Sequence, residues 1–207
     1  SKREIEEIER KKKKKKRKIE IGIRLNPNTD AKTLKQISTG KKENKFGVNE
    51  KVFFEIVKYC KNSNYIDLKC LSVHIGSQIL DHKPYEKMLN VISRIINKIN
   101  YNFEFIDLGG GMGIPYNSTN KKLNYKKYNF AIKKFLKKHN SKIIFEPGRY
   151  IVGNTGVLVC KIIYIKKIER KNFVILDAAM NDLMRPALYG AVHKTLPSIK
   201  KNNILKK

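Results

Sequence analysis

Cysteine is scarce in this chain, at three residues in 207. Cys60, Cys70 and Cys160 are too few and too irregularly spaced for a disulfide framework or a zinc site. Cys60 continues an apolar helical stripe with Val52, Phe53, Ile56 and Val57, so the thiols read as core residues of a reducing compartment, the cytoplasm. Long apolar runs are also missing. No stretch of about 18 uncharged apolar residues occurs, which excludes a membrane-spanning helix. The opening Ser1-Lys2-Arg3-Glu4 lacks the apolar core of a signal peptide. Acids are few as well, 18 against 46 lysines and arginines, for a net charge of +28. Taken alone, that imbalance points to nucleic acid or an anionic membrane. The excess, however, is nearly all lysine, 38 residues scattered over helix faces and loops with few aromatics to stack bases. Lysine, asparagine and isoleucine are the residues an AT-rich genome favours, so neither nucleic acid nor membrane is expected as a partner. Arginine, present eight times, is the more informative cation. Arg149 and Arg185 each sit beside a glycine or proline turn, where a planar fork can grip carboxylate or phosphate.

The hydrophobic fraction, 41%, suffices for one sizeable domain or parts of two. Three apolar segments empty into polar clusters: residues 70–73 into His74-Ile75-Gly76-Ser77, 103–108 into Gly109-Gly110-Gly111, and 143–145 into Glu146-Pro147-Gly148-Arg149. Their spacing is close to the roughly 31 residues per βα unit of an eightfold barrel. Between them lie apolar stripes at helical spacing, Tyr85, Met88, Leu89, Ile92, Ile95, Ile96 and Ile99, then Tyr125, Tyr128, Ile132, Phe135 and Leu136. Buried strands alternating with such helices predict parallel βα units, whose ligands gather at the C-terminal strand ends. The glycine triplet frees the backbone so that its N–H groups can converge on an anion, a phosphate cradle. A tight strand-to-helix turn without a ligand is its other possible use.

Residues 19–25 alternate as a first strand, stopped by Asn26-Pro27-Asn28. Residues 1–18 read as a solvated helix or tail ending in a like-charge block. The polar stretch 38–47 is too long for a simple βα connection and is a candidate active-site loop. Beyond Arg149 the period changes. Segments 155–166 and 172–177 read as strands with no helical pattern between them, residues 178–192 as a loop with Asn181, Asp182, Arg185, Pro186 and Tyr189, and 200–207 as a frayed tail. The expected division is a partial βα barrel over 1–153 and the start of an all-β domain over 154–207.

Five motifs occur in order: ISTGKKENKFG, ending at Gly47; SVHIGSQI, 72–79; DLGGGMGIPY, 107–116; FEPGRYIV, 145–152; and DAAMNDLMRPALYGAVH, 177–193. Together they resemble the diaminopimelate decarboxylases, pyridoxal-phosphate enzymes built from an alanine-racemase-like barrel and a C-terminal β domain. The stretch NDLMRPALYG separates that branch from the ornithine and arginine decarboxylases. The resemblance implies an α/β fold, the C-terminal half of a TIM-like (β/α)8 barrel followed by the start of an all-β domain. It implies pyridoxal 5'-phosphate as cofactor, meso-diaminopimelate as substrate, L-lysine and carbon dioxide as products, and a homodimer in the complete enzyme.

Position by position, the resemblance has His74 stack on the pyridine ring and Glu146 face the pyridine nitrogen. Ser77, Gly109, Gly110 and Gly111, with Pro147, Gly148 and Arg149, would lie about the phosphate, Arg149 also against the substrate. Arg185 and Tyr189 would bind the substrate carboxylate, an ion pair with Asp182 being the alternative use of Arg185. Nothing here resembles the family's cofactor-binding lysine, its Cys-Glu-Ser segment or its later tyrosine. The chain is therefore expected to be the middle of such an enzyme. Two rival readings are another decarboxylase of basic amino acids and a non-catalytic fragment or half of a split enzyme.

Overall fold

Ile19, Ile21 and Ile23 turn the same way along β1 (Ile19–Arg24), and Ile66, Leu68 and Leu71 are buried along β2 (Ile66–Ser72). With β3 (Phe105–Asp107) and β4 (Lys142–Ile144) they form one parallel sheet in the order β1-β2-β3-β4. Consecutive parallel neighbours need a crossover, and α2 (Glu50–Lys61), α3 (Lys83–Ile99) and α4 (Tyr125–Leu136) supply one each. The computed structural model describes residues 1–15, 18–31, 40, 45–116 and 122–198.

Each helix forms where its stripe and caps direct. Asn49 and Asn124 accept the N–H groups of Val52 (2.9 Å) and Lys127 (3.0 Å), starting α2 and α4. Pro84 occupies the first turn of α3, and Asn100, in the left-handed region at φ 46°, ends that helix. The stripe foreseen in α3 faces the sheet, with Tyr85, Met88, Leu89, Ile92, Ile95 and Ile96 buried. Phe53, Ile56 and Val57 of α2 and Tyr128, Ile132 and Phe135 of α4 complete the same core. A two-pronged Arg94–Glu50 pair, 3.0 and 2.7 Å, ties α3 to α2 at the surface.

The N-terminal segment takes the helical form of its two expected readings but is docked rather than solvated. It is a helix, α1 (Lys2–Lys15), with Ile5 buried in the core, and Glu9 accepts hydrogen bonds from Tyr59 and Ser63. An amphipathic stripe as thin as Ile5 and Ile8 suffices once a carboxylate has two partners to bind. Residues 16–17, 200–207 and most of the 38–47 loop lie outside the described residues. Gly40 is described; its N–H donates to Ile75 O (3.1 Å) and its carbonyl accepts from Thr29 (2.7 Å).

The chain divides into two units, Ser1–Ile114 with Lys121–Thr155, and Pro115–Asn120 with Gly156–Lys207. In the second, β5 (Ile162–Ile168) pairs antiparallel with β6 (Lys171–Leu176). Residues 155–161 stay outside the strand, a shorter β5 than expected, and the loop expected over 178–192 contains a short helix, α6 (Arg185–Tyr189). Among the described residues no helix is long and apolar enough to cross a membrane.

Candidate functional site

Parallel register brings the strand ends into line. Arg24 pairs with Ser72, Ser72 with Asp107, and Asp107 with Ile144, so one row crosses all four strands. The ladder continues past it, Val73 N–H donating to Asp107 O (2.8 Å), Leu108 N–H to Ile144 O (3.0 Å) and Glu146 N–H to Gly109 O (2.9 Å). The loops headed by His74, Gly109 and Glu146 therefore leave the same edge of the sheet and meet there.

The glycine triplet makes their meeting sterically possible. A Cβ on Gly110 would stand 2.0 Å from Glu146 O, and one on Gly111 2.0 Å from Gly76 O. Packing thus takes a share of what the sequence offered to an anion. Gly109 N–H donates to Asp107 Oδ1 (2.8 Å) and Gly110 N–H to His74 Nδ1 (3.2 Å), leaving these two amides engaged within the chain. Among the described residues the Gly111 N–H and the Ser77 hydroxyl make no hydrogen bond. Space around Gly148 is open, with nothing within 4 Å of a Cβ built there.

His74 accepts at Nδ1, so its neutral form carries the proton on Nε2. Burial, with the nearby Arg24 cation, holds its pKa below the ordinary histidine range, and the Asp107 carboxylate only partly opposes this. The ring is accordingly neutral at pH 7. Asp107 also accepts the Ser72 hydroxyl at 3.0 Å, which clamps the turn into the triplet. Arg149 donates to Gln78 Oε1 at 3.0 Å from the start of α5 (Gly148–Val152).

Sequence reasoning passed over Arg24, Asp107 and Gln78. Arg24 lies in the fields of the Glu146 and Asp107 carboxylates, stacks on Phe46 (5.2 Å to the ring centroid) and reaches the His74 carbonyl (3.4 Å). Its signal was present: an arginine at the end of a strand, in a chain that otherwise uses lysine.

Arg185 and Tyr189 belong to the second unit. There the Arg185 guanidinium lies between two rings, 5.6 Å from the centroid of Tyr116 and 5.8 Å from that of Tyr189. The His193 ring meets Tyr116 edge-on at 5.4 Å. Arg185 Nε and His193 Nε2 are buried without hydrogen-bond partners among the described residues, so each has a donor or acceptor to offer. Asp182 accepts from Ala179 N–H (2.9 Å) and forms no ion pair with Arg185 among the described residues.

Residues 1–153 match the family model described as pyridoxal-dependent decarboxylase, pyridoxal binding domain. The chain belongs to this family. Pyridoxal-dependent decarboxylases also dominate the wider comparisons. Diaminopimelate decarboxylase of Campylobacter jejuni is 38% identical over 179 residues, covering 85% of this chain and 44% of the relative. The enzyme of that name from Helicobacter pylori is 42% identical over 178 residues, 84% of this chain and 43% of the relative. The crystal structure of the Helicobacter pylori enzyme complexed with L-lysine superposes with a TM-score of 0.87 at 40% identity, covering 94% of this chain and 49% of that one. The chain thus spans less than half the length of these relatives. Its four-stranded parallel sheet is part of a TIM-like barrel, as expected.

The site fits the family's cofactor, pyridoxal phosphate. A neutral buried imidazole offers a flat face, the Glu146 carboxylate suits a pyridinium nitrogen, and the Gly111 N–H, the Ser77 hydroxyl and the open space at Gly148 suit a phosphate.

Proposed function

We propose that a protein containing these residues is a diaminopimelate decarboxylase, converting meso-2,6-diaminopimelate to L-lysine and carbon dioxide. The observation that carries this reading is the junction of the His74, Gly109–Gly111 and Glu146–Arg149 loops at one strand-end edge, locked by glycines too tight for any side chain. It draws support from relatives of that name at about 40% identity.

Pyridoxal phosphate supplies an electron sink for the carbanion left by departing carbon dioxide. In this proposal His74, kept uncharged by burial, stacks against the ring without competing for its proton. Glu146 holds a proton on the pyridine nitrogen, because a carboxylate there favours the cationic ring. Gly111 and Ser77, with Pro147, Gly148 and Arg149, receive the phosphate, and the N–H groups of Gly109 and Gly110 hold the loop in shape. Arg185, flanked by Tyr116 and Tyr189, takes a substrate carboxylate. Turnover is proposed for the cytoplasm, in a homodimer.

The test is release of carbon dioxide from competing amino acids. Lysine formed from meso-diaminopimelate, with arginine and ornithine left unchanged, is the expected result. Preferential turnover of arginine or ornithine overturns the substrate assignment.

A further inference from the structure

Gln78 occupies a backbone conformation that few side chains tolerate, the left-handed region at φ 61°. Such positions persist where the surroundings enforce them, and here the surroundings are hydrogen bonds. Gln78 Nε2 donates to Ile114 O at 2.6 Å, and Ile114 N–H donates back to Gln78 Oε1 at 3.3 Å. This reciprocal pair fixes the orientation of the amide, since a flipped group would set its NH2 against a donor and its oxygen against a carbonyl. The adjacent backbone is equally tied. Ile79 N–H donates to Gly111 O (2.9 Å) and Gly113 N–H to Ile79 O (3.0 Å). Among the described residues the amide has one further hydrogen bond, from Arg149 Nη1, 3.0 Å from Oε1.

We propose that Gln78 is a positioning residue for Arg149, holding the guanidinium toward an anion of the cofactor or substrate without neutralising it. This rests on the anion-binding role proposed for Arg149. A carboxylate at position 78 would grip the arginine more strongly but cancel its charge, whereas a neutral acceptor gives direction without adding a negative charge of its own. The amide's anchor on Ile114 joins the loop after β2 to the glycine loop after β3, so Arg149 of the third loop is referenced to both.

The experiment uses the full chain labelled with 15N in arginine side chains, the Arg149 Nε–H signal being assigned by its loss in Arg149→Gln. Affinities for pyridoxal phosphate, for pyridoxal and for meso-diaminopimelate are measured alongside. In Gln78→Leu, a side chain with the same first carbon but no amide, the Arg149 signal should lose its restraint and exchange faster with water. Gln78→Glu should keep the signal restrained, yet weaken anion binding about tenfold, the scale of one lost charge-assisted hydrogen bond. Loss for pyridoxal phosphate but not pyridoxal assigns the phosphate, and loss for meso-diaminopimelate assigns the carboxylate. In an Arg149→Gln background neither Gln78 change should weaken binding further, whereas a merely structural residue would give additive losses.

An Arg149 signal as restrained in Gln78→Leu as in the unaltered chain overturns the proposal. So do additive losses. If Arg149→Gln leaves every affinity unchanged, the anion role of Arg149 fails, and the Arg149 signal still decides whether Gln78 holds it. Should Gln78→Leu fail to fold, Gln78→Asn, too short to reach both partners, replaces it with the same expected loss of restraint.

Discussion

Gly110 donates its N–H to Nδ1 of His74 across 36 residues of sequence, and the bond sets both the imidazole tautomer and the glycine loop. The same glycine lies where a Cβ would strike the Glu146 carbonyl at 2.0 Å. One residue thus connects the His74 ring, the glycine loop and the backbone of the Glu146 loop.

Gly110→Ala should therefore be severe. Backbone has to move by more than an ångström to admit the methyl group, which corresponds to a loss of about 3 kcal/mol or more. Urea unfolding measures it, and a change under about 1 kcal/mol would show that the loops are not packed as described.

The N-terminal helix is the second target. Glu9→Ala removes the acceptor of both the Tyr59 and Ser63 hydroxyls and should reduce stability by about 1 kcal/mol. The Glu9 hydrogen bond also pushes the Tyr59 phenol up to about 12, so the variant should bring that group back toward 10. Hydrogen exchange along α1 and 13C NMR of labelled tyrosine report the two effects.

These cases show which features the sequence could reveal. Amphipathic stripes such as Tyr85 to Ile96 and the row of polar clusters at strand ends depend on local spacing, and the structure has both. The docking of Glu9 depends on Tyr59 and Ser63, fifty or more residues away, and no local pattern announces it. The glycine triplet was legible as an unusual turn. Its tight fit against Gly76 and Glu146 was not, because both approach from other strands. Asp107 escaped because its role comes from the register that aligns Arg24, Ser72, Asp107 and Ile144 in one row, and Gln78 because its partners Ile114 and Arg149 lie on other loops.

Two histidines predict an acid sensitivity. Burial lowers the pKa of both His74 and His139, the latter with its Nε2 2.7 Å from Ser93 Oγ. The unfolded chain then binds more protons than the folded chain once pH falls through about 6.5, so stability is full above that pH and declines below it. Urea midpoints from pH 7.5 to 5.5 should fall, and His139→Gln should flatten part of the slope. Midpoints that rise on acidification would contradict the sign.

In a catalytically competent protein, Glu146→Gln should abolish most turnover, since a neutral amide cannot hold the pyridine nitrogen protonated. Arg185→Lys should chiefly raise KM, because an ammonium cannot reproduce a two-pronged grip on a carboxylate. Steady-state kinetics separate the two. Equal, mild effects on kcat and KM for both would argue against the roles given to these residues.

The loops after β2, β3 and β4 are proposed to form a pyridoxal phosphate site without a cofactor lysine among them. The most direct measurement is 31P NMR of pyridoxal phosphate titrated with the full chain, followed by borohydride reduction and mass spectrometry. A saturable shift of the phosphate signal that Ser77→Ala and Gly111→Ala weaken, with no single stoichiometric lysine adduct, is expected. A phosphate signal indifferent to the chain, or one lysine fixed in full yield, would contradict it.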